Sequence, residues 1–466
     1  MTRFDPGQLT ETIAAVSTPP GRGALGIIRL CGPDTLAVLQ RIFQPRGERN
    51  HLTSHRMCFG ALVDPRTGQT IDQVMVAYFA APHSYTGEDM GEISHHGSPV
   101  LAAEILNLVL QDRARLAWPG EFTLRAFLNG KMDLSQAEAV RDLIDSRTSY
   151  QARIAEKQLE GSVSRTIRPL KDRLIGIISH LETAVEFAED LPDTEPTARL
   201  TVEMESVATS LAALEENFRL GHLLRRGVNL VITGRPNVGK SSLFNRLLGE
   251  DRAIVTEISG TTRDVLREPA QLFGIPLILM DTAGIRPSED VVEKLGVERS
   301  YTAAGQADII LHVMDATLGL LPDELSLVHS LPQDNLIVVL NKQDLPPRIS
   351  AADISRMVPD HEVIPVSALT GEGLDALRKA IHERLIPPSF RPEMENSLIT
   401  NIRQQQCLRN AHVELRLSLD AAGEGVSEEY ILYHLCRAVR ALDELTGRTT
   451  VDDILERIFS TFCIGK

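Results

Sequence analysis

The chain has 466 residues, enough for about three domains at roughly 150 residues each, so several hydrophobic cores are expected. Hydrophobic residues make up 43% and charged residues 24%, the balance of an ordinary globular protein, which excludes a disordered, collagenous or fibrous chain. The net charge of −15 argues against a protein that holds nucleic acid unaided along a broad basic face.

Residues 1–131 form a mixed α/β or β-rich unit with zero net charge, strand-like segments at Gly26–Leu30, Val74–Phe79 and Gly91–Ser94, and loops rich in glycine and proline. From Leu134 to about Phe218 the pattern is helical. Ser135 and Glu138 read as a capping-box pair, followed by Ala137, Val140 and Ile144 on one face. Leu170, Leu174, Ile177, Leu181 and Val185 repeat at helical spacing. Beyond Pro192 and Pro196 the repeat continues with Leu200, Met204, Val207, Leu211, Leu214 and Phe218. Residues 228–385 switch to short apolar runs, VNLVIT, PLILM, DIILHVM, NLIVVL and VIPVS, alternating with helical stretches, which is a doubly wound α/β pattern. After Pro387, Pro388 and Pro392 the helical stripes return: Leu408, Ala411, Leu415 and Leu419, then Ile431, Leu435, Ala438, Leu442 and Leu445, then Ile454, Ile458 and Phe462. Such stripes must be buried on one another, so residues 220–388 read as an α/β domain inserted into a helical domain whose halves are 132–219 and 389–466. These three segments carry nets of −7 (132–219), −5 (220–388) and −3 (389–466), so an RNA substrate would need a basic partner for much of the holding.

No apolar run approaches the ~18 residues of a bilayer span, and MTRFDPGQLTET lacks the apolar stretch of a secretory signal. A cytoplasmic protein without a membrane span is expected. Cys31, Cys58, Cys407, Cys436 and Cys463 are too scattered for a disulfide framework, and none forms a C-x-x-C pair.

The strand VNLVIT runs into Gly234-Arg235-Pro236-Asn237-Val238-Gly239-Lys240-Ser241, followed by Ser242, which fits G-x-x-x-x-G-K-[ST] between a strand and a helix. Backbone N–H groups of such a loop close around phosphate oxygens, Lys240 reaches the β- and γ-phosphates, and Ser241 offers a hydroxyl to Mg²⁺. Asp281-Thr282-Ala283-Gly284 follows PLILM and places a carboxylate near the Mg²⁺ shell. Asn341-Lys342-Gln343-Asp344 follows NLIVVL, where a carboxylate can accept both N1–H and N2–H of guanine, and adenine would leave it buried and unpaired. Ser367-Ala368 completes the base pocket, and Thr261-Thr262 supplies the switch threonine. The expected nucleotide is GTP. Ras-type enzymes place a water-orienting glutamine directly after this D-x-x-G glycine, where the present chain has Ile285, so the catalytic group must come from elsewhere. The nearest source is the acidic stretch Glu289, Asp290 and Glu293, which also suits the polar face of a helix start. Asn237 is a short polar side chain beside the phosphates that could help hold a monovalent cation.

PPGRGALGIIRLCG, TGEDMGEISHHG and PGEFTLRAFLNGKMDLSQAEAVRDLI before the G motifs, with CIGK at the end, make the whole chain resemble the MnmE (TrmE) family of tRNA modification GTPases. The resemblance implies a tetrahydrofolate-binding, dimerising N-terminal domain of α+β type, a helical domain with an inserted Ras-like G domain, and potassium-stimulated GTP hydrolysis. It further implies a homodimer that works on tRNA with the FAD-dependent protein MnmG, also called GidA. Together they install an aminomethyl or carboxymethylaminomethyl group at C5 of the wobble uridine. By motif, Arg29, Glu92, Lys131 and Lys466 match the folate contacts, Ser241 and Thr262 the Mg²⁺ ligands, and Asn237, Thr256, Ile258 and Thr261 the K⁺ site. Glu293 matches the glutamate that orients water, and Cys463 is the cysteine that the family places near the folate.

The residues support part of this on their own. Arg29, Lys131 and Lys466 suit glutamyl carboxylates, and Glu92 suits pterin N–H groups, although each alone would read as a surface charge. Cys463 alone would read as a buried small hydrophobe or an idle thiol. The rival function is a GTP-dependent switch in ribosome assembly, although the C-terminal 78 residues carry a net −3 and no GXXG loop.

Overall fold

The computed structural model describes residues 9–46, 51–111, 113–186, 195–248, 269–272, 274–280, 307–319, 322–332, 335–386, 398–449 and 452–466. The chain divides into two compact units, Met1–Arg141 with Leu159–Ser164 and Arg440–Lys466, and Asp142–Gln158 with Arg165–Val439.

The first unit is built on a seven-stranded sheet of β1 (Thr12–Val16), β2 (Leu25–Cys31), β3 (Phe43–Pro45), β4 (Arg56–Val63), β5 (Thr70–Phe79), β6 (Met90–His96) and β7 (Ala114–Leu116). Their order is β3-β4-β5-β6-β2-β1-β7, antiparallel except where β7 joins β1. One face buries Ile28, Val76 and Ile93 under Val38, Leu39, Ile105 and Leu108 of the helices Thr35–Ile42 and Pro99–Val109. The other face packs Ile13, Ala15 and Met90 on Phe122 of the helix Glu121–Leu128. The β2–β6 register sets Arg29 directly opposite Glu92. A further cluster joins Leu124, Leu134 and Ala137 to Leu455, Phe459 and Phe462 near the C-terminus.

Two local expectations are corrected here. The helix Leu134–Ile144 is capped two residues earlier than expected: Gln136 N–H donates to Asp133 Oδ1 and Asp133 N–H donates to Gln136 Oε1, both at 2.9 Å. Ser135 and Glu138 are buried instead, and Ser135 Oγ donates to the Leu445 carbonyl. In the final helix Asp452–Phe459, Leu455 and Phe459 join Ile458 and Phe462 in the core cluster while Ile454 is exposed, so of the expected stripe Ile454 alone falls outside it.

The second unit contains the doubly wound α/β sheet that the apolar runs imply: β8 (Val228–Thr233), β9 (Pro269–Leu272), β10 (Ile275–Met280), β11 (Ile309–Asp315), β12 (Leu336–Asn341) and β13 (Glu362–Pro365). The order is β13-β12-β11-β8-β10-β9, parallel except for the β9–β10 hairpin. Helices Lys240–Leu248 and Leu374–Leu385 cover one face and helices Pro322–Ser330 and Ala351–Met357 the other. Burial on both faces is why β8, β11 and β12 read as near-continuous apolar runs. In the same unit, the helix Glu195–Glu216, which precedes the sheet, packs on Ile402–Gly423, which follows it, and Arg416 grips both oxygens of Glu205 at 2.8 and 2.9 Å. Among the described residues no helix is long and apolar enough to cross a membrane.

Candidate functional site

The nucleotide pocket lies at the C-terminal ends of β8, β12 and β13, where a doubly wound sheet offers its loops. β8 ends at Thr233, and the loop that follows leaves no room for side chains at its glycines. A Cβ on Gly234 would stand 2.3 Å from the Val313 carbonyl oxygen, and one on Gly239 2.2 Å from Asn341 Nδ2; both residues have positive φ. Asn237 also takes left-handed backbone, φ +63, a conformation its short polar side chain tolerates. Val238 is buried in the core below and pins the loop. Lys240 opens the following helix, and its ammonium donates to the carbonyls of Gly234 (2.8 Å) and Arg235 (2.7 Å). Burial lowers its pKa below the ordinary lysine value.

The base end is organised by Asn341. Its Nδ2 donates to the Val238 carbonyl at 2.8 Å and its Oδ1 accepts from Ala368 N–H at 2.9 Å, so one side chain ties the phosphate loop to the Ser367-Ala368 turn. Ser367 Oγ donates to Asp344 Oδ1 at 2.5 Å, which fixes the carboxylate at the pocket wall. The cavity has a volume of about 680 Å³ and is lined by Gly239, Ser242, Asn341, Lys342, Asp344 and Ala368 among others, a size suited to a nucleotide. Sequence reasoning missed Arg246, whose Nη2 holds the Leu369 carbonyl at 2.9 Å, because nothing local marks a helix arginine as a partner of that turn. Thr256, Ile258, Thr261, Thr262, Asp281, Thr282, Ala283, Gly284, Ile285, Glu289, Asp290 and Glu293 lie outside the described residues.

A second cluster forms in the first unit, where the C-terminal tail lies against the sheet. Pro119 and Ile464 make an antiparallel bridge, and Gly120 N–H donates to the Cys463 carbonyl at 3.4 Å. The Gly465 carbonyl accepts from Ser17 Oγ at 3.1 Å and from Arg29 Nη1 at 3.5 Å. Gly465 has φ +95, and a Cβ there would stand 2.5 Å from the Val16 carbonyl oxygen. Arg29 in turn donates through Nε (3.0 Å) and Nη2 (2.7 Å) to Glu92 Oε1, with its guanidinium 5.9 Å from the Tyr85 ring and 5.8 Å from the Phe122 ring. Burial, with Arg29 next in importance, lowers the pKa of Lys466, and Glu92 and Cys463 act in the opposite sense. Arg29, Glu92, Cys463 and Lys466 are thus brought together. Lys131 is anchored elsewhere, its Nζ on the Pro82 carbonyl at 3.1 Å. Cys463 is exposed, which corrects the reading of it as a buried small hydrophobe. Ser17 and Tyr85 lie outside the quoted motifs and Phe122 lies inside one without an assigned role, so the fold alone reveals their place beside the tail.

The signature described as "MnmE helical domain" matches residues 134–463, and that described as "GTP-binding protein TrmE N-terminus" matches residues 12–131. The chain is 47% identical over 460 residues to the tRNA modification GTPase MnmE of Koribacter versatilis, covering 98% of this chain and 100% of that protein. It is 41% identical to that of Lactiplantibacillus plantarum, over 98% of each chain. The match to that of Heliobacterium modesticaldum is 42%, over 98% of this chain and 99% of the relative.

Proposed function

The chain belongs to the MnmE family of tRNA modification GTPases, and from that premise we propose that it hydrolyses GTP to drive modification of the wobble uridine of certain tRNAs. In this reading it acts in the cytoplasm as a homodimer with the FAD-dependent protein MnmG. The product is a (carboxymethyl)aminomethyl group at C5, and its carbon comes from methylene-tetrahydrofolate. The observation that carries the reading is the docking of the Cys463–Lys466 tail beside the Arg29–Glu92 pair, in a chain that also has a cavity lined by Asn341, Asp344 and Ala368.

Asp344, held by Ser367, accepts N1–H and N2–H of guanine, while Asn341 keeps the base pocket and the phosphate loop in register. Backbone N–H groups of the loop, Lys240 and the start of its helix take the phosphates. Ser241 with Thr262 would hold Mg²⁺, and Asn237 with Thr256, Ile258 and Thr261 would hold K⁺; hydroxyl, amide and carbonyl oxygens are suitable hard donors for both. Glu293 orients the attacking water in place of the missing glutamine. Arg29, Glu92, Lys131 and Lys466 suit a pterin and its glutamyl carboxylates, since the set pairs cations with one carboxylate acceptor. When bound, the two cations supply positive charge at the phosphates and the folate supplies the one-carbon unit. Cys463, exposed at the same tail, is free to act as nucleophile or proton carrier.

The deciding experiment is nucleoside analysis of wobble-uridine tRNA incubated with this protein, MnmG, GTP and methylene-tetrahydrofolate. A new C5-substituted uridine that needs all four components is expected. GTP hydrolysis with no new nucleoside would favour the rival reading of a GTP-dependent switch.

A further inference from the structure

Behind the base pocket stands a buried carboxylate that no motif claims. Asp315 closes β11 in register with Asn341 at the end of β12, and its side chain is 3% exposed. Oδ1 accepts from Thr317 N–H at 2.9 Å and Thr317 Oγ1 at 2.7 Å, and Oδ2 lies 2.6 Å from Lys342 Nζ. Burial pushes the Asp315 carboxyl up, but the bonds from Lys342 and Thr317 outweigh it and hold its pKa below the usual range. Lys342 follows Asn341 in left-handed backbone, φ +66, and lines the pocket between Asn341 and Asp344. A lysine with a free ammonium would sample many rotamers, and a ligand would have to order its stem on binding.

We propose that Asp315 is a positioning residue for base recognition: by fixing Lys342 Nζ it lays the four-carbon stem along the pocket wall as a preformed apolar face for the purine ring. The proposal rests on the GTPase reading and adds a residue to the base site that the G motifs do not include. Preorganisation of this kind raises affinity without touching the phosphates.

The test uses the full chain with GDP, inosine diphosphate and GTP. Asp315→Asn keeps the shape and an acceptor for Thr317 but removes the charge. It should weaken GDP and inosine diphosphate alike, by about tenfold, and raise KM for GTP by a similar factor with kcat changed by less than about twofold. The ratio of the two affinities should stay at the parental value, because the stem does not read N2, whereas Asp344→Asn should change that ratio. In a Lys342→Met background, which keeps an unbranched stem without the ammonium, Asp315→Asn should have no further effect. Parental affinities in Asp315→Asn, or the same loss in the Lys342→Met background, would overturn the proposal. A parental chain that neither binds GDP nor hydrolyses GTP would instead overturn the GTPase reading.

Discussion

In the nucleotide pocket, Ser367 reaches Asp344 across 23 residues and Asn341 reaches Val238 across 103, whereas the tail contacts from Ser17 and Arg29 to Gly465 span 448 and 436. The pocket contacts are short and buried or part-buried, and they start from loops that a parallel sheet places side by side at one edge. The tail is held by two longer bonds to a single carbonyl, a 3.4 Å backbone bond and one bridge. A site closed by buried bonds between neighbouring loops should resist change as a unit, while one closed by a few longer bonds to a short segment should open locally at low cost. Substitutions that separate the two sites test that difference.

The largest effect should come from the pocket. Gly239→Ala places a methyl group 2.2 Å from Asn341 Nδ2 on backbone with φ +98, so the strain and the clash both fall on the side chain that joins the two loops. GDP affinity, measured by isothermal titration, should fall by about three orders of magnitude, with hydrolysis and modification lost together. A loss of less than tenfold would mean that the Asn341 link is not rigid.

Glu293→Ala tests chemistry without recognition. If Glu293 orients the attacking water as proposed, hydrolysis should slow by about a hundredfold in kcat while GDP affinity stays near the parental value, because a group with that role contributes in the transition state. A matching loss of affinity would make Glu293 a structural support of the loop instead of a water-orienting group.

Gly465→Ala is the counterpart on the tail side. Its methyl group would meet the Val16 carbonyl at 2.5 Å on backbone with φ +95, which should lift the tail off Ser17 and Arg29. tRNA modification should drop by about tenfold or more, and GTP hydrolysis should change by less than about twofold. Equal losses in both activities would show that the two sites are not separable.

The same contrast explains what was legible in the sequence. β8, β11 and β12 were visible because strands buried on both faces are apolar nearly throughout, and Asn341 and Asp344 were visible because their roles are set by a few consecutive residues. β3, β7 and β9 are three or four residues long, too short for a period to show. Ser135 and Glu138 fit the capping pattern as well as Asp133 and Gln136 do, and the burial of both with the bond from Ser135 Oγ to the Leu445 carbonyl decided between them, which is a tertiary fact. Ser17 and Phe122 entered the tail site only through strand register and helix packing, and no spacing rule connects either to a residue more than 300 positions away.

The smallest effect concerns a buried histidine of the α/β sheet. His312 on β11 is fully buried, faces Thr233 with Nδ1 and Oγ1 3.0 Å apart, and has its pKa pushed down to about 4 from 6.5 by burial, with the Lys240 ammonium adding to the shift. The folded state therefore keeps the ring neutral where the unfolded chain would protonate it. Above about pH 6.5 neither state binds this proton, so His312 adds no pH dependence there. As pH falls from 6.5 towards 4 the unfolded state gains the proton alone, and stability is lost across that window, by about 2 kcal/mol at pH 5. His312→Asn keeps a partner for Thr233 without a titrating ring. The parental chain should lose a few degrees more in melting temperature than His312→Asn between pH 7 and pH 5. Carboxylates that titrate over the same range are common to both proteins and cancel in the comparison. Equal losses would mean that the ring finds water or a partner when protonated, and that the sheet around it is less closed than its burial implies.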